Sequence, residues 1–337
     1  MNVNDPRFRE FHLVREMLET PGLIRDFDPE GARSLGESAA QTGTLLLTGE
    51  GSSRIFPAGN VRRLALASGL PLRIEREGAR QAMEYNLADW TVAGASNSGR
   101  TRELIELMER LGQQGHRRRF GVTANSGSPL EKHTDHCHVL ACGEERAVAA
   151  TKSVIEQVLY DQAALRYAGG PELSADHLAH LAEAADQVLQ QDLEPELIAR
   201  LQEAEVIYFA GRDDGVAEEL TLKTNEIARK RSDFLEGTYA VHGVEEVMNP
   251  TDALVLVDPW PELIDTFVNV LGNGVGIQLV AISSHRLPIP TLPVPEVPAS
   301  PTIPPLLAGW NLLVHVGVAG GVDLDKPERA RKIGNEI

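Results

Sequence analysis

The sequence predicts an α/β protein in which two parallel sheets are each flanked by helices. Three observations lead there. Short apolar runs alternate with longer segments whose apolar residues recur at helical spacing, the pattern of strand, turn and helix units. The alternation stops at Gly169-Gly170-Pro171 and starts again beyond it. Each half carries a strand that ends in glycine and runs into a polar turn, Gly49–Ser53 in one and Gly211–Asp214 in the other, which suggests an internal duplication. A length of 337 residues suits two domains of roughly 100–200 residues, placed at 1–172 and 173–337.

The elements follow in order. Phe8–Ile24 has helical apolar spacing and breaks around Asp26–Gly31. Thr44–Thr48, Trp90–Ala95, Phe120–Ala124 and His138–Ala141 read as strands, with amphipathic helices at Thr101–Leu111 and Ala149–Tyr167. Beyond the Gly-Gly-Pro break, Ser174–Ala204 reads as one long helix. Strand-like runs follow at Val206–Ala210, Ala253–Val257 and Ile277–Ile282. Pro288–Pro305 holds eight of the 20 prolines. Proline lacks the amide donor, so this stretch is expected to be an extended surface connection, neither helix nor central strand. A final apolar helix, Leu306–Val318, and a charged tail, Asp323–Ile337, complete the chain.

Composition narrows the function. Hydrophobic residues at 42% and charged residues at 24% supply a sizeable core and argue against disorder. Aromatics at 5% offer little for stacking on single-stranded nucleic acid. A net charge of −17 argues against nucleic-acid and anionic-membrane partners, so an anionic ligand has to be captured by local backbone dipoles. Cys137 and Cys142 are too few for a disulfide framework or a zinc site. The N-terminal MNVNDPRFREFH lacks a signal peptide's apolar stretch, and no run approaches the ~18 apolar residues of a membrane helix. These features predict a cytoplasmic protein.

Several segments combine residue types that can do chemistry. Ser96-Asn97-Ser98-Gly99-Arg100-Thr101 follows a strand and opens a helix. Exposed amides, hydroxyls and a helix dipole there can hold a phosphate; a ligand-free N-cap is the other reading. Gly51-Ser52-Ser53-Arg54 is a second polar turn after a strand. Ligands of open α/β sheets sit outside the carboxyl ends of strands, so two such turns can line one pocket. No Walker A or G-x-G-x-x-G turn occurs at these points, which disfavours a nucleotide. Thr151 or Ser153 can cap the helix after Ala147–Ala150, with Lys152 between them. Lys223 and Glu226 share a helix face at i, i+3, either as an ordinary surface ion pair or as a functional one. His242, before Gly243, is free to project into a cleft, and one histidine with one carboxylate is the minimum for moving a proton at oxygen and at carbon. His133, His136 and His138 are unevenly spaced and are read as surface or core residues, with no metal expected.

Together these motifs resemble the sugar isomerase (SIS) domain family in its double-domain form. The likeness is greatest to the isomerase half of glucosamine-6-phosphate synthase and to stand-alone phosphosugar isomerases, deaminases and deglycases. It runs through MLETP (Met17–Pro21), GEGSSR (Gly49–Arg54), SNSGRT (Ser96–Thr101) and SPL (Ser128–Leu130). It continues through VAATKS (Val148–Ser153), LKTNE (Leu222–Glu226), HG (His242–Gly243) and DLDKP…RK (Asp323–Lys332). The resemblance implies two flavodoxin-like SIS subdomains. It makes Ser53 a sugar contact and Ser96, Asn97, Ser98 and Thr101 a phosphate cradle. Val148 would line the sugar through its backbone, and Ala150 stands where some members carry serine. Glu226 would shuttle a proton between C1 and C2, with Lys223 beside it. His242 would assist ring opening from a neighbouring subunit, and Lys332 would fold over the sugar.

Those roles imply an aldose–ketose isomerase acting on a hexose 6-phosphate or amino-sugar 6-phosphate, without metal or other cofactor, as a homodimer with shared active sites. A deaminase or deglycase and a non-catalytic sugar-phosphate sensor are the alternatives; the sensors of this family carry a helical DNA-binding module that the short leading segment does not provide. The chain departs from the synthase pattern in places. No glutaminase domain precedes the isomerase part, Arg100 replaces a glutamate, and Val244 follows His242-Gly243 where proline is common. The chain ends in Gly334-Asn335-Glu336-Ile337 and not in threonine-valine-glutamate. The chemistry at C2 therefore stays open at this level.

Overall fold

The apolar runs Leu45–Leu47 and Val92–Ala95 lie at the centre of the first sheet. The structure, a computed structural model, describes residues 1–329. Strands β1 (Thr44–Gly49), β2 (Arg73–Gly78), β3 (Thr91–Ala95), β4 (Arg119–Thr123) and β5 (His136–Val139) pair in the order β2-β1-β3-β4-β5. Every pairing is parallel, with Leu45 opposite both Ile74 and Thr91, and Gly49 opposite both Gly78 and Ala95. All of β3 is buried, as is β1 from Leu45 onward. Strands covered on both faces are mostly apolar, which is why these two read as apolar runs despite the buried Thr48 and Thr91. One cover is the helix Arg102–Gln113, whose Leu104, Leu107, Met108 and Leu111 fall on one stripe and pack with Leu46 and Val92. The helices Ile55–Ala67 and Lys152–Leu165 are joined by a Gln162 to Asn60 hydrogen bond of 2.8 Å.

The second half repeats the plan. Strands β6 (Val206–Gly211), β7 (Arg231–Glu236), β8 (Ala253–Val257), β9 (Gln278–Ser283) and β10 (Thr291–Pro293) run in the order β10-β9-β8-β6-β7, all parallel. Counted within its own half, this is the arrangement of the first sheet: second, first, third, fourth, fifth strand. Tyr208, Leu254, Leu256, Phe267 and Leu271 form the core on one side. The helix Ile303–Ala319, with Trp310 fully buried, belongs to the same half.

Several expected boundaries move, each for a physical reason. The edge strands β2 (RIEREG) and β7 (RSDFLE) are polar and alternately exposed, so they carry no apolar run. The expected helix Ser174–Ala204 is two helices, Ala175–Gln190 and Pro195–Glu203, because Pro195 can only open a helix there. Within Pro288–Pro305, Thr291–Pro293 is an edge strand, and Pro304 and Pro305 lie in the first turn of the final helix, where a missing amide costs nothing. The leading helix begins at His12 and carries Pro21 inside it.

Contacts divide the chain into two compact units that interleave in sequence. One comprises Met1–Pro21, Ala147–Ala149 and His180–Glu328; the other contains Gly22–Arg146 and Ala150–Ala179. The sequence division at 172/173 placed the leading segment with the first half. The segment is instead tied to the second, because the Met1 ammonium donates to the Leu189 carbonyl at 2.6 Å and Asp325 accepts the His12 and Leu13 amides at 2.7 and 3.0 Å.

Candidate functional site

In the order shared by both sheets, connections leave in opposite directions from the first and third strands. The crevice outside their carboxyl ends is where ligands of this architecture sit. In the first sheet the turn Gly51–Ser53 leaves β1 and Ser96–Thr101 leaves β3.

The second of these turns is closed on itself by its own hydroxyls. Ser96 Oγ lies 2.8 Å from Thr101 Oγ1 and accepts the Gly99 amide at 3.1 Å; Ser98 Oγ accepts the Arg100 amide at 3.1 Å. Gly99 is required: its φ is +65°, and a Cβ there would lie 2.3 Å from Ser128 Oγ. The Asn97 carbonyl accepts the Ala124 amide at 3.0 Å, Thr123 Oγ1 at 3.1 Å and Asn125 Nδ2 at 2.7 Å, which pins the turn to the end of β4. Thr101 stands at the N-cap of the helix Arg102–Gln113 with no side-chain bond to its amides, and the first amides of a helix have no intrahelical acceptor. Ser96 is buried while Asn97, Ser98 and Thr101 are half-buried, so the hydroxyls stay within reach of a ligand.

Glu145, which sequence reasoning missed, holds this turn to the helix Lys152–Leu165. It is 1% exposed and accepts the Thr151 amide at 2.8 Å, Thr151 Oγ1 and the Ser153 amide at 3.3 Å, Ser153 Oγ at 2.6 Å, and Asn97 Nδ2. A protein carboxylate thus occupies the positive end of that helix. The sequence signal was an acidic residue just ahead of a Thr/Ser helix start. Gln157 donates to the Ser53 carbonyl at 2.8 Å and ties the first turn to the same helix. Ser53 and Ala150 are half-buried in this unit; Val148, also half-buried, belongs to the other.

In the unit of the second half, Lys223 closes the helix Val216–Lys223, and Glu226 sits on the π-helical turn Thr224–Ala228. The surface-pair reading of these two residues is corrected by burial. Lys223 is 0% exposed and bridges two carboxylates, Glu226 at 2.8 Å and the equally buried Glu219 at 3.3 Å. Burial alone would lower the Lys223 ammonium, but Glu226 and Glu219 override it and hold it above its ordinary value. Lys223 therefore stays charged near neutral pH. Glu226, with 28% of its side chain exposed, is the member of the triad that a ligand can reach. Glu219 was legible as the i−4 partner of Lys223 but was not singled out.

His242 is exposed, on an open cleft of about 890 Å³ lined also by Glu236, Thr238, Tyr239, Trp260 and Glu262. Lys332 lies outside the described residues. The crevice of the second sheet is not a copy of the first. Arg212, after β6, bonds the carbonyl and carboxylate of Asp258, after β8, and lies 4.6 Å from the centre of the Trp260 ring. Among the described residues no cluster of three or more His, Cys, Asp or Glu could hold a metal, and no helix is long and apolar enough to cross a membrane.

The SIS domain model matches residues 40–166, which include both turns and the Glu145 network. Glutamine–fructose-6-phosphate aminotransferase (isomerizing) of Aeropyrum pernix is 27% identical over 95% of this chain and 56% of its own length. The chain thus spans a little over half the length of this curated relative. Tagatose-6-phosphate ketose/aldose isomerase of Escherichia coli superposes with a TM-score of 0.76 at 15% identity, over 96% of this chain and 97% of that one. Glucosamine-6-phosphate deaminase of Thermotoga maritima superposes with a TM-score of 0.70 at 19% identity, over 96% and 99%. At those identities the structures establish a shared fold. Residues 40–166 thus match the SIS domain, and the chain as a whole has the fold of these two solved structures.

Proposed function

We propose that the protein is an aldose–ketose isomerase of a hexose 6-phosphate or an amino-sugar 6-phosphate, working as a homodimer. The phosphate docks on the hydroxyls and helix-start amides of Ser96–Thr101, with Ser53, Val148 and Ala150 against the sugar. His242 gives a proton to the ring oxygen as the ring opens. Glu226 then takes the proton from C2; the released electron pair forms the C1–C2 double bond of an enediol or enolamine as O1 is protonated. Return of the proton to C1, with loss of the hydroxyl proton at C2, gives the ketose or its imine. Lys223 remains an ammonium and stabilises charge on the neighbouring oxygen. General acid–base help of this kind contributes typically about 10²–10⁴-fold.

One observation carries the reading. A buried lysine held charged by two carboxylates leaves one of them open to a ligand, so that carboxylate is the group able to move a proton. The exposed position of His242 fits its delivery to the site of a neighbouring subunit. A thermal-shift screen over hexose and amino-sugar 6-phosphates, followed by turnover of the stabilising sugars, tests the function. Ser98→Ala with Thr101→Ala is expected to raise KM for the phosphorylated sugar; an unchanged KM would place the phosphate elsewhere. Stoichiometric ammonia from glucosamine 6-phosphate would replace isomerisation by deamination on the same residues.

A further inference from the structure

Glu226 is carried on a turn that needs support. Like the longer π-helical stretch Val268–Val275, Thr224–Ala228 has an uncommon geometry that occurs frequently at functional sites. It stops at Arg229, a non-glycine residue in the left-handed region at φ +51°. Backbone of that kind persists where its surroundings over-determine it. Here the surroundings are the C-terminal segment of the chain. Arg229 Nη2 donates to the Asp323 carbonyl at 2.7 Å and to the Lys326 carbonyl, and Nη1 pairs with Glu328 at 3.0 Å. The same segment is fixed from its other side, because the Asp325 carboxylate accepts the amides of His12 and Leu13 that open the leading helix. A guanidinium fork on two carbonyls sets direction as well as distance.

We propose that Arg229 is a positioning residue for Glu226. Its fork on Asp323 and Lys326 locks the end of the π-turn, and the locked turn aims the Glu226 carboxylate at Lys223 and at the ligand. A relaxation of the turn to regular α-helix would shift the following residues by one position, and one position rotates a side chain by about 100° around the axis. The inference rests on Glu226 being the proton carrier.

Arg229→Gly separates positioning from folding. Glycine adopts the left-handed conformation without strain, so the backbone is relieved while the fork is lost. With glucosamine 6-phosphate as probe and the full chain, R229G is expected to keep its thermal midpoint within a few degrees of wild type. Its kcat should fall about 10–100-fold with KM within about twofold. R229K, which keeps the charge and one donor direction, should recover part of kcat. In the E226Q background, R229G should cause no further loss, because the group it aims is already gone. Wild-type kcat in R229G, a change confined to KM, or full additivity with E226Q would overturn the proposal. If R229G fails to fold, R229K decides: wild-type kcat in a folded R229K overturns it, and reduced kcat at unchanged KM supports it. Wild-type turnover in E226Q alone would remove the underlying reading, whatever Arg229 does.

Discussion

Replacing Glu145 by glutamine changes one atom of a buried carboxylate and tests the framework of the anion turn. Glutamine keeps an oxygen for the Thr151 amide, Thr151 Oγ1 and the Ser153 amide, all held now by Oε1. It places an NH2 group where Oε2 receives Asn97 Nδ2 and Ser153 Oγ. The serine hydroxyl can rotate to accept, but the Asn97 amide then faces another donor. The losses are one charge-assisted hydrogen bond, about 1.5–3 kcal/mol, and the favourable charge at the helix start, about 0.3–1 kcal/mol. Together they predict a loss of about 2–4 kcal/mol, or about 5–15 °C in the midpoint of a unit of this size. Scanning calorimetry reads the midpoint, and titration with a sugar 6-phosphate reads the loss of affinity expected when the Asn97 side chain keeps only its bond to Ser153 Oγ. An E145Q midpoint within a degree of wild type, with unchanged affinity, would show that Glu145 does not brace the turn.

Two further outcomes follow from the first unit. Asp161 is fully buried with Oδ2 unpartnered, and burial pushes its carboxyl up to about 7 despite a hydrogen bond from Gln157. Folding therefore favours its protonated form; that contribution is whole below the ordinary value of 3.8 and is lost as pH rises through about 7. D161N should match wild type in acid and exceed it by on the order of 3–4 kcal/mol at alkaline pH, read as a midpoint gap that widens with pH. A gap independent of pH would contradict the assignment. Gly99→Ala puts a Cβ 2.3 Å from Ser128 Oγ at a φ of +65°. It should cost about 2–4 kcal/mol and weaken sugar-phosphate binding, whereas a calorimetric loss below about 1 kcal/mol would mean that the turn rearranges freely.

Much of the fold was legible because β1, β3, β6 and β8 are buried on both faces and are built mostly of apolar residues. The polar edge strands β2 and β7 were invisible for the converse reason: the pattern of RIEREG or RSDFLE fits a solvated loop as well as an edge. The two turns were readable as Gly/Ser/Thr segments after strands. Glu145 was not, since the pair Glu144-Glu145 ahead of the Thr/Ser helix start does not show on which carboxylate the donors converge. The i, i+3 spacing of Lys223 and Glu226 showed a shared face but not which way it points. Burial of Lys223 against Glu219 depends on packing that no local pattern encodes.

Hydrogen exchange at carbon examines the proposed chemistry most directly. Fructose 6-phosphate incubated with the protein in D2O should take up solvent deuterium at C1, followed by NMR, and E226Q should show none while still binding the sugar. Exchange by E226Q at the wild-type rate, or none by a wild-type protein that binds the sugar, would contradict the role given to this carboxylate.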